Sequence, residues 1–349
     1  MLIKTMIAVP FKKIFSKNII AFFLAFVISV GLSLLWMYKD MQHEINEPLM
    51  ISSIQTLNIV SGMSLSSIAR VLVENGWINH PYHLILEAKW QNKAHLIKAG
   101  EYALPPGITQ SSLLDKIVSG NVIQYSLTIP EGLKFIEIIN LVRDSEDIIH
   151  TIDDYSISGI SSLMPYLQAN PEGMFYPDTY HFPRGTTDLE FLQRAYELTQ
   201  KVLDEEWEMR SVGLPYKDKY EALIMASVIE KETADPGERD RIAGVFVRRL
   251  QMGMKLQTDP TVIYAMGEDF DGNIRRSDLY IDSPYNTYVY RGLPPTPIAS
   301  PGRAAINAAL QPAEGDELYF VARGDGTHEF SSTLAEHNRA VNLYQRNRR

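Results

Sequence analysis

Cysteine is missing from this 349-residue sequence. Its absence excludes disulfide bonds, thiolate metal sites, a cysteine nucleophile and a lipid anchor on cysteine. A GxSxG nucleophile motif, a P-loop, a dinucleotide fingerprint and an HExxH pair are missing too. His181, His328 and His337 are scattered without metal-ligand spacing, so we expect them to be structural. The sequence therefore predicts neither a metal nor a cofactor.

Basic residues are fewer than acidic residues. The chain has 33 lysines and arginines against 42 aspartates and glutamates, a net charge of -9 at pH 7. This balance disfavours binding to a phosphate backbone, so we expect no nucleic-acid partner. The chain is long enough to form two domains, each with a sizeable core.

Charged residues are absent from Ile19 to Tyr38, a run long enough to cross the hydrocarbon core of a membrane as a helix. Lysines precede this run, and acidic residues follow it from Asp40 onwards. The positive-inside rule then predicts a cytoplasmic tail at 1–17, a transmembrane helix at 18–38 and an exported body after about 40. A cleaved signal peptide is the alternative, but the run is long for one and no small-x-small cleavage site follows it.

A short pattern occurs three times after a predicted stalk at 40–55. An extended apolar start, a glycine turn and an amphipathic helix are found at 59–72, 104–117 and 129–142. In each copy, large apolar residues follow the glycine at one, six and ten positions, along one helical face. Ser64 and Thr109 are expected to be N-caps. This unit loosely resembles the LysM sugar-binding module and predicts a small LysM-like α+β domain at 50–145, the alternative being an ordinary α+β spacer.

After a predicted linker at 145–170, the second half of the sequence predicts a larger α+β domain at 160–345. A hairpin is expected from the buried strand 318–322, the turn Gly324–Gly326 and a second strand from His328. The residues between 253 and 302 are rich in proline and glycine and indicate loops. Helices are predicted at about 188–210, 221–233, 236–251 and 303–310, with a last helix around 334–341.

The helix at 221–233 carries the carboxyl of greatest interest. It contains no glycine or proline, its apolar residues recur at helical spacing, and a polar break follows it. At about 100° per residue, four residues form one apolar face. These residues are Ile224, Met225, Val228 and Ile229.

Glu232 falls near the middle of that apolar face, whereas Glu230 points almost the opposite way. A carboxylate in apolar surroundings costs several kcal/mol to keep charged, so it should be uncharged, paired or functional. A raised affinity for a proton is what a general acid needs at neutral pH. The structural alternative is a buried glutamate satisfied by an arginine such as Arg239 or by backbone donors.

Other polar and aromatic residues could surround Glu232. Gln257, Thr258 and Asp259 precede a proline, where an Asx-type turn is the simpler interpretation, although such a trio could also orient a sugar or the catalytic carboxyl. Aromatic rings make platforms for sugar faces but are more often core residues. The aromatic segments and the amide between them contribute the predicted substrate contacts Tyr180, Tyr285, Asn286 and Tyr288.

Six segments, occurring in order, closely resemble the YceG-like endolytic murein transglycosylases. The likeness runs from the membrane segment to the last helix, with small departures at Arg323 and Ser331, where relatives often carry Asp and Asn. The six segments are Glu230–Thr233, Glu238–Asp240, Leu256–Tyr264, Tyr285–Tyr288, Gly292–Pro295 and Tyr319–Ala322.

This resemblance implies a single-pass enzyme of the bacterial inner membrane, with its catalytic domain in the periplasm, that cuts peptidoglycan glycan strands internally. The family's catalytic glutamate matches Glu232, which would act first as acid and then as base and leave 1,6-anhydro ends. Gln257 and Asp259 would polarise or orient, and Tyr288 would stack. Peptidoglycan synthases are conceivable partners near new glycan. The alternative is an anchored, non-catalytic peptidoglycan-binding scaffold in which Glu232 is merely buried.

Overall fold

The computed structural model describes residues 17–167, 170–233 and 235–346, and the chain divides into two compact units after Ile123. The mixture of helices and short strands is consistent with the predicted α+β class. Each unit has its own hydrophobic core. Within the described residues, all strands pair in antiparallel two-stranded sheets.

The first unit packs two repeats and a connecting helix on the end of a long helix. Strands β1 and β2 pair with Gln55 opposite Leu104 and Ile59 opposite Gly100. Its elements are α1 (Lys17–Asn46), β1 (Gln55–Ile59), α2 (Leu65–Glu74), α3 (Tyr82–Trp90), β2 (Gly100–Leu104) and α4 (Gln110–Ser119).

The long helix α1 is a candidate membrane anchor. An 18-residue window within Ala21–Asn46 is apolar enough to span a membrane, with a mean hydropathy of 2.1. The helix continues past the predicted span 18–38, so the first part of the predicted stalk is helical. Its last turns pack on the first unit, because Ile45 is buried and the Glu44 carbonyl accepts from Gln110 Nε2 at 3.2 Å. Most of the predicted cytoplasmic tail lies outside the described residues.

The strand–glycine–helix pattern is confirmed in all three places. Gly62, Gly107 and Gly132 have φ values of +80°, +87° and +76°, which only glycine adopts freely. Ser64 and Thr109 cap the following helices, accepting hydrogen bonds from the backbone N–H three residues on. The third copy, however, belongs to the second unit, so the described division falls earlier than the predicted boundary at 145–170.

The predicted linker is part of the second unit's core. Ile148, Ile152 and Ile160 are buried there, and a short helix covers 157–163. Asp188, fully buried at the start of a long helix, accepts hydrogen bonds from the backbone N–H and the hydroxyl of Thr151 at 2.9 and 2.6 Å. These isoleucines stand among polar residues, which favoured a linker in the sequence analysis.

The second unit is mainly helical. Its two sheets pair Gln124 with Pro183 and Tyr319 with Ser331, and the second sheet is the predicted hairpin. The elements are β3 (Gln124–Thr128), α5 (Phe135–Arg143), α6 (Ile157–Leu163), β4 (Thr179–Pro183), α7 (Asp188–Glu208), α8 (Lys219–Glu232), α9 (Arg239–Gln251), α10 (Asp259–Met266), α11 (Arg303–Leu310), β5 (Tyr319–Ala322), β6 (His328–Ser331) and α12 (Leu334–Val341).

Helix α8 lies at the centre of this unit. Asp218 caps its first turn by accepting from Glu221 N at 3.0 Å. Every residue from Ala222 to Ile229 is buried, because α7, α9, α10 and α11 all pack on it. The helix is therefore apolar on all sides and not, as predicted, on one face only. Glu230 and Glu232 lie just beyond this buried stretch, in the last turn of α8.

Helices α3, α6 and α10 were not predicted. Helix α10 begins at Asp259 with a proline in its first turn, a position that favours helix initiation as much as a turn. Helix α9 begins at Arg239, three residues later than Pro236, which the sequence had placed in its first turn.

Candidate active site

A cavity of about 430 Å³ lies in the second unit and is reached by the side chain of Glu232. Its walls come from the end of α8, the last turns of α9, residues 256–259, Tyr288, the hairpin β5–β6 and α12. Its lining includes polar, aromatic and aliphatic side chains. Its size suits part of a polar ligand.

Glu232 is the last residue of α8 and points at the start of α10. The hydroxyl of Thr258 donates a short hydrogen bond to its Oε2. Burial raises the pKa of Glu232, and the negative charge of Asp259 raises it further. The Thr258 hydrogen bond and the charges of His328 and Arg249 oppose that shift. The carboxyl therefore holds its proton more tightly than an exposed glutamate does.

The segment that reaches Glu232 is held in an unusual backbone conformation. Gln257 has φ +52°, in the left-handed region that residues other than glycine seldom occupy. Its N–H donates to the Thr287 carbonyl at 3.2 Å, and the next N–H, of Thr258, donates to the Thr287 hydroxyl at 3.2 Å. These bonds fix the turn so that Gln257 lines the cavity and Thr258 meets Glu232.

Asp259 and Tyr288 face each other at the cavity wall. The hydroxyl of Tyr288 donates to Asp259 Oδ1 at 2.6 Å, and burial followed by the Asp259 contact raises the pKa of the phenol. Lys255 Nζ donates to the Tyr288 carbonyl at 2.8 Å. Asp259 is thus a hydrogen-bonded acceptor close to Glu232, and Tyr288 is fixed in place as part of the wall.

Arg249 supplies a buried positive charge that the sequence did not point to. Its Nε donates to the Leu318 carbonyl and its Nη1 to the Leu256 carbonyl, both at 2.6 Å. The guanidinium also lies over the ring of Tyr319, 5.2 Å from its centroid. Arg249 therefore joins the segment before Thr258 to the start of β5. Burial lowers its pKa, while the charge of Glu232 acts in the opposite sense.

Two histidines that we expected to be purely structural also line the cavity. His328 Nδ1 lies 2.7 Å from Glu238 Oε2. His337 stacks on Tyr319 with ring centroids 5.3 Å apart. Burial and the nearby charge of Arg249 lower the pKa of His337. Sequence spacing could not reveal these residues, because they reach the cavity from a hairpin and a helix far along the chain.

The structure does not bring three of the predicted substrate contacts into this cavity. Tyr180 is buried in β4, where its hydroxyl donates to the Tyr176 carbonyl at 2.7 Å. Asn286 is fully buried, and its amide donates to the Leu279 and Ile281 carbonyls. Tyr285 packs against Tyr264 and bonds to Thr296. Gln257, Asp259 and Tyr288 line the cavity, and Thr258 contacts Glu232 directly.

Glu230 has a separate set of partners. It accepts a hydrogen bond from Gly302 N at 3.0 Å and lies 3.8 Å from Arg239 Nη2. The two side chains are 8% and 10% exposed, so this is a buried pair. Arg239, which the structural alternative assigned to Glu232, thus neutralises its neighbour instead. Burial raises the pKa of Glu230 as well.

Among the residues that the structure describes, no group of three histidine or acidic side chains could hold a metal ion. The cavity brings together one carboxyl of raised pKa, a hydrogen-bonded second carboxyl, a fixed cation and several ring faces. Side chains of these types are able to carry out general acid–base chemistry.

The chain belongs to the YceG-like family, whose sequence model matches residues 57–343. It is 34% identical over 307 residues to the endolytic murein transglycosylase of Bacillus subtilis, covering 82% of this chain and 84% of that protein. The endolytic murein transglycosylase of Streptococcus pneumoniae is 28% identical, covering 93% of this chain but 65% of the relative.

The crystal structure of a YceG-like protein from Listeria monocytogenes is similar to this chain. It is 31% identical with a TM-score of 0.50, and the match covers 83% of this chain and 99% of that one. The predicted family is thereby confirmed.

Proposed function

We propose that this protein is an endolytic murein transglycosylase, a lytic enzyme that cuts the bond between N-acetylmuramic acid and N-acetylglucosamine within peptidoglycan strands. Two relatives with this name match most of the chain. The observation that carries the proposal within the structure is Glu232, a carboxyl of raised pKa that reaches a polar, aromatic cavity.

In the proposed reaction, Glu232 gives its proton to the glycosidic oxygen, and the bond from that oxygen to C1 breaks with its electron pair on oxygen. The C6 hydroxyl of the muramic acid then bonds to C1, and its proton goes to the Glu232 carboxylate. The product is a 1,6-anhydro end, and no water is consumed. A single carboxyl can serve both steps, whereas hydrolytic glycosidases usually need two.

Gln257, Asp259 and Tyr288 are the proposed substrate contacts. Gln257 and Asp259 can orient hydroxyl or amide groups, and the Tyr288 ring offers a face for a sugar. Thr258 is proposed to hold Glu232 in position through the hydrogen bond described above. The predicted contacts Tyr180, Tyr285 and Asn286 are left out of this set, because their polar groups bond within the protein away from the cavity.

We propose further that α1 anchors the protein in the bacterial inner membrane by a single pass, with residues 1–17 in the cytoplasm and the chain after about residue 40 in the periplasm. The first unit would then act as a LysM-like glycan-binding module, a role supported by its strand–glycine–helix units. Cutting near the membrane would terminate nascent strands, and peptidoglycan synthases are proposed as neighbours there.

The test is to incubate the full-length protein in detergent with glycan strands and to weigh the products. The expected products carry 1,6-anhydro ends and are internal fragments, and Glu232→Gln forms none of them. Reducing ends in their place would make the protein a lysozyme-like hydrolase. Full activity in Glu232→Gln would remove the residue from the mechanism.

The alternative candidate is a non-catalytic anchored scaffold that binds peptidoglycan. It predicts co-sedimentation with sacculi and no cleavage by the native protein. The open cavity at Glu232 favours the enzyme, because a merely buried glutamate would be enclosed by partners as Glu230 is.

A further inference from the structure

His328 is held by a carboxylate in the manner of an oriented catalytic histidine. Its ring Nδ1 lies 2.7 Å from Glu238 Oε2, and its backbone N–H donates to both oxygens of the same carboxylate at 2.9 and 3.1 Å. Because an ionised carboxylate only accepts, Nδ1 must carry the proton. Both side chains are 13% exposed, so solvent competes weakly for this contact.

The surroundings of the ring leave its other nitrogen available. Phe320 meets the His328 ring edge-on at 5.3 Å, and Phe330 lies on another side at 6.4 Å. Among the described residues, Nε2 has no hydrogen-bond partner. Because His328 lines the cavity that contains Glu232, its side chain belongs to the wall around this carboxyl.

Glu238 also lies at the N-terminal end of α9. It is the residue before the first turn of α9, where the helix dipole favours a negative charge. A carboxylate that fixes one ring nitrogen makes the imidazole a better holder of positive charge, since the imidazolium is stabilised by its partner.

Four charged or titratable side chains influence Glu232 from different elements. Asp259 at the start of α10 opposes its charged form, whereas Arg249 from α9 and His328 from β6 favour that form. Tyr288 also lines the cavity, but its hydroxyl is committed to Asp259. Arg249 is bound to backbone carbonyls, whereas His328 is the favourable partner that a carboxylate holds in place.

We propose that the Glu238–His328 pair is a positioning device for Glu232, which stabilises the Glu232 carboxylate between its two proton transfers. This inference rests on the proposed function, because only an acid that becomes a base passes through that state. Burial makes the carboxylate costly, so a nearby imidazolium lowers the barrier to giving up the proton. His328 acts through Glu232 and is not required to touch the sugar.

The experiment measures kcat/KM against pH for the full-length protein in detergent, using glycan strands as substrate. As pH rises, kcat/KM should fall because Glu232 loses the proton it must donate; this falling part of the profile is the alkaline limb. In His328→Gln the positive charge is lost, so this limb should move to higher pH by roughly half a unit to one unit, with activity at neutral pH about tenfold lower.

Glu238→Gln should move the limb in the same direction by a smaller amount, and the double variant should shift it no further than His328→Gln alone. The single variant Glu238→Gln keeps the shape of the pair, so it tests the inference even where His328→Gln folds poorly. His337→Gln changes a histidine of the same cavity that stacks on Tyr319 and has no carboxylate partner among the described residues, so its alkaline limb should move less than that of His328→Gln. His181→Gln, on the exposed edge of β4, is the control outside the cavity.

A limb that stays in place in both His328→Gln and Glu238→Gln overturns the inference, even where activity falls. If Glu232→Gln is inactive in the same assay, only the role of the pair has failed. If Glu232→Gln remains active, the proposed function itself has failed. The two failures are therefore distinguishable.

Discussion

Glu230 and Glu232 lie two residues apart on one buried helix, yet their surroundings differ in kind. Glu230 accepts a hydrogen bond from the backbone N–H of Gly302 and lies beside the buried Arg239. Glu232 has one short hydrogen bond from Thr258 and otherwise borders an open cavity. The pKa of both carboxyls is raised by burial, so a perturbed proton affinity alone does not separate them.

What separates them is the access of a substrate. A buried carboxyl with all its partners inside the protein contributes to the fold, whereas one that faces solvent-filled space can exchange its proton with a ligand. The helical phase decides which glutamate has which environment, because two residues correspond to about 200° of rotation. Substitutions at Glu232 and its partner Thr258 should therefore mainly lower activity. Substitution of Arg239, the partner of Glu230, should mainly lower stability.

The largest expected contrast is in catalysis. Glu232→Gln should lower kcat by about a thousandfold or more, since removing a general acid typically costs two to four orders of magnitude. Glu230→Gln should stay within about threefold of the native rate, because its amide oxygen can still accept from Gly302 N. Release of fragments from glycan strands measures both rates. Equal losses of kcat at the two positions would contradict the assignment of the general acid to Glu232.

The next contrast is in stability. Arg239→Gln should lower the free energy of unfolding by about 2–4 kcal/mol, because Glu230 is then left without its buried partner. Urea unfolding measures the loss. Adding Glu230→Gln should recover part of the loss. A neutral outcome for Arg239→Gln would show that the 3.8 Å pair contributes little to the fold.

Thr258→Val tests the hydrogen bond that is unique to Glu232. The valine keeps the shape but removes the donor, so Glu232 is less well oriented and its carboxylate is less stable. We expect kcat to fall about tenfold, which corresponds to about 1.4 kcal/mol. Because this hydrogen bond lowers the pKa of Glu232, its loss should also move the alkaline limb of kcat/KM to higher pH. An unchanged limb would contradict the assignment.

The smallest effect is on the pH dependence of stability. A glutamate whose pKa is raised by folding binds more protons in the folded state, so stability falls as pH rises from its unfolded pKa through its folded pKa. Glu232→Gln removes this loss. We therefore expect its thermal midpoint, relative to the native protein, to be higher at pH 7.5 than at pH 5. The same difference in thermal midpoint at both pH values would mean that ionisation of Glu232 at neutral pH does not destabilise the fold.

Local signals allowed much of the fold to be predicted. The caps at Ser64 and Thr109, the helix that ends at Glu232 and the hairpin turn at 324–326 all depend on residues close in sequence. Helix α10 was missed because Asp259 followed by proline suits a turn as well as a helix start. The core at 148–160 was missed because its isoleucines stand among polar residues that indicate a linker.

The site was predictable only in part, for a similar reason. Helical phase selected Glu232 over Glu230. In the polar trio 257–259, Thr258 contacts Glu232, and Gln257 and Asp259 line the same cavity. Arg249 and His328 come from α9 and β6 and meet Glu232 only through tertiary packing, so spacing carries no sign of them. Aromatic composition misled at Tyr180, which packs in the core, because rings serve burial more often than binding.

The long helix α1 has a mechanical consequence. It spans 30 residues without a break, which corresponds to about 45 Å, more than the roughly 30 Å of a bilayer's hydrocarbon core. Its last turns are packed into the first unit, so no flexible joint separates helix from domain. When α1 crosses a membrane, any tilt of the helix is passed directly to that unit. The anchor then restricts the unit's orientation to the membrane plane as well as its distance from it.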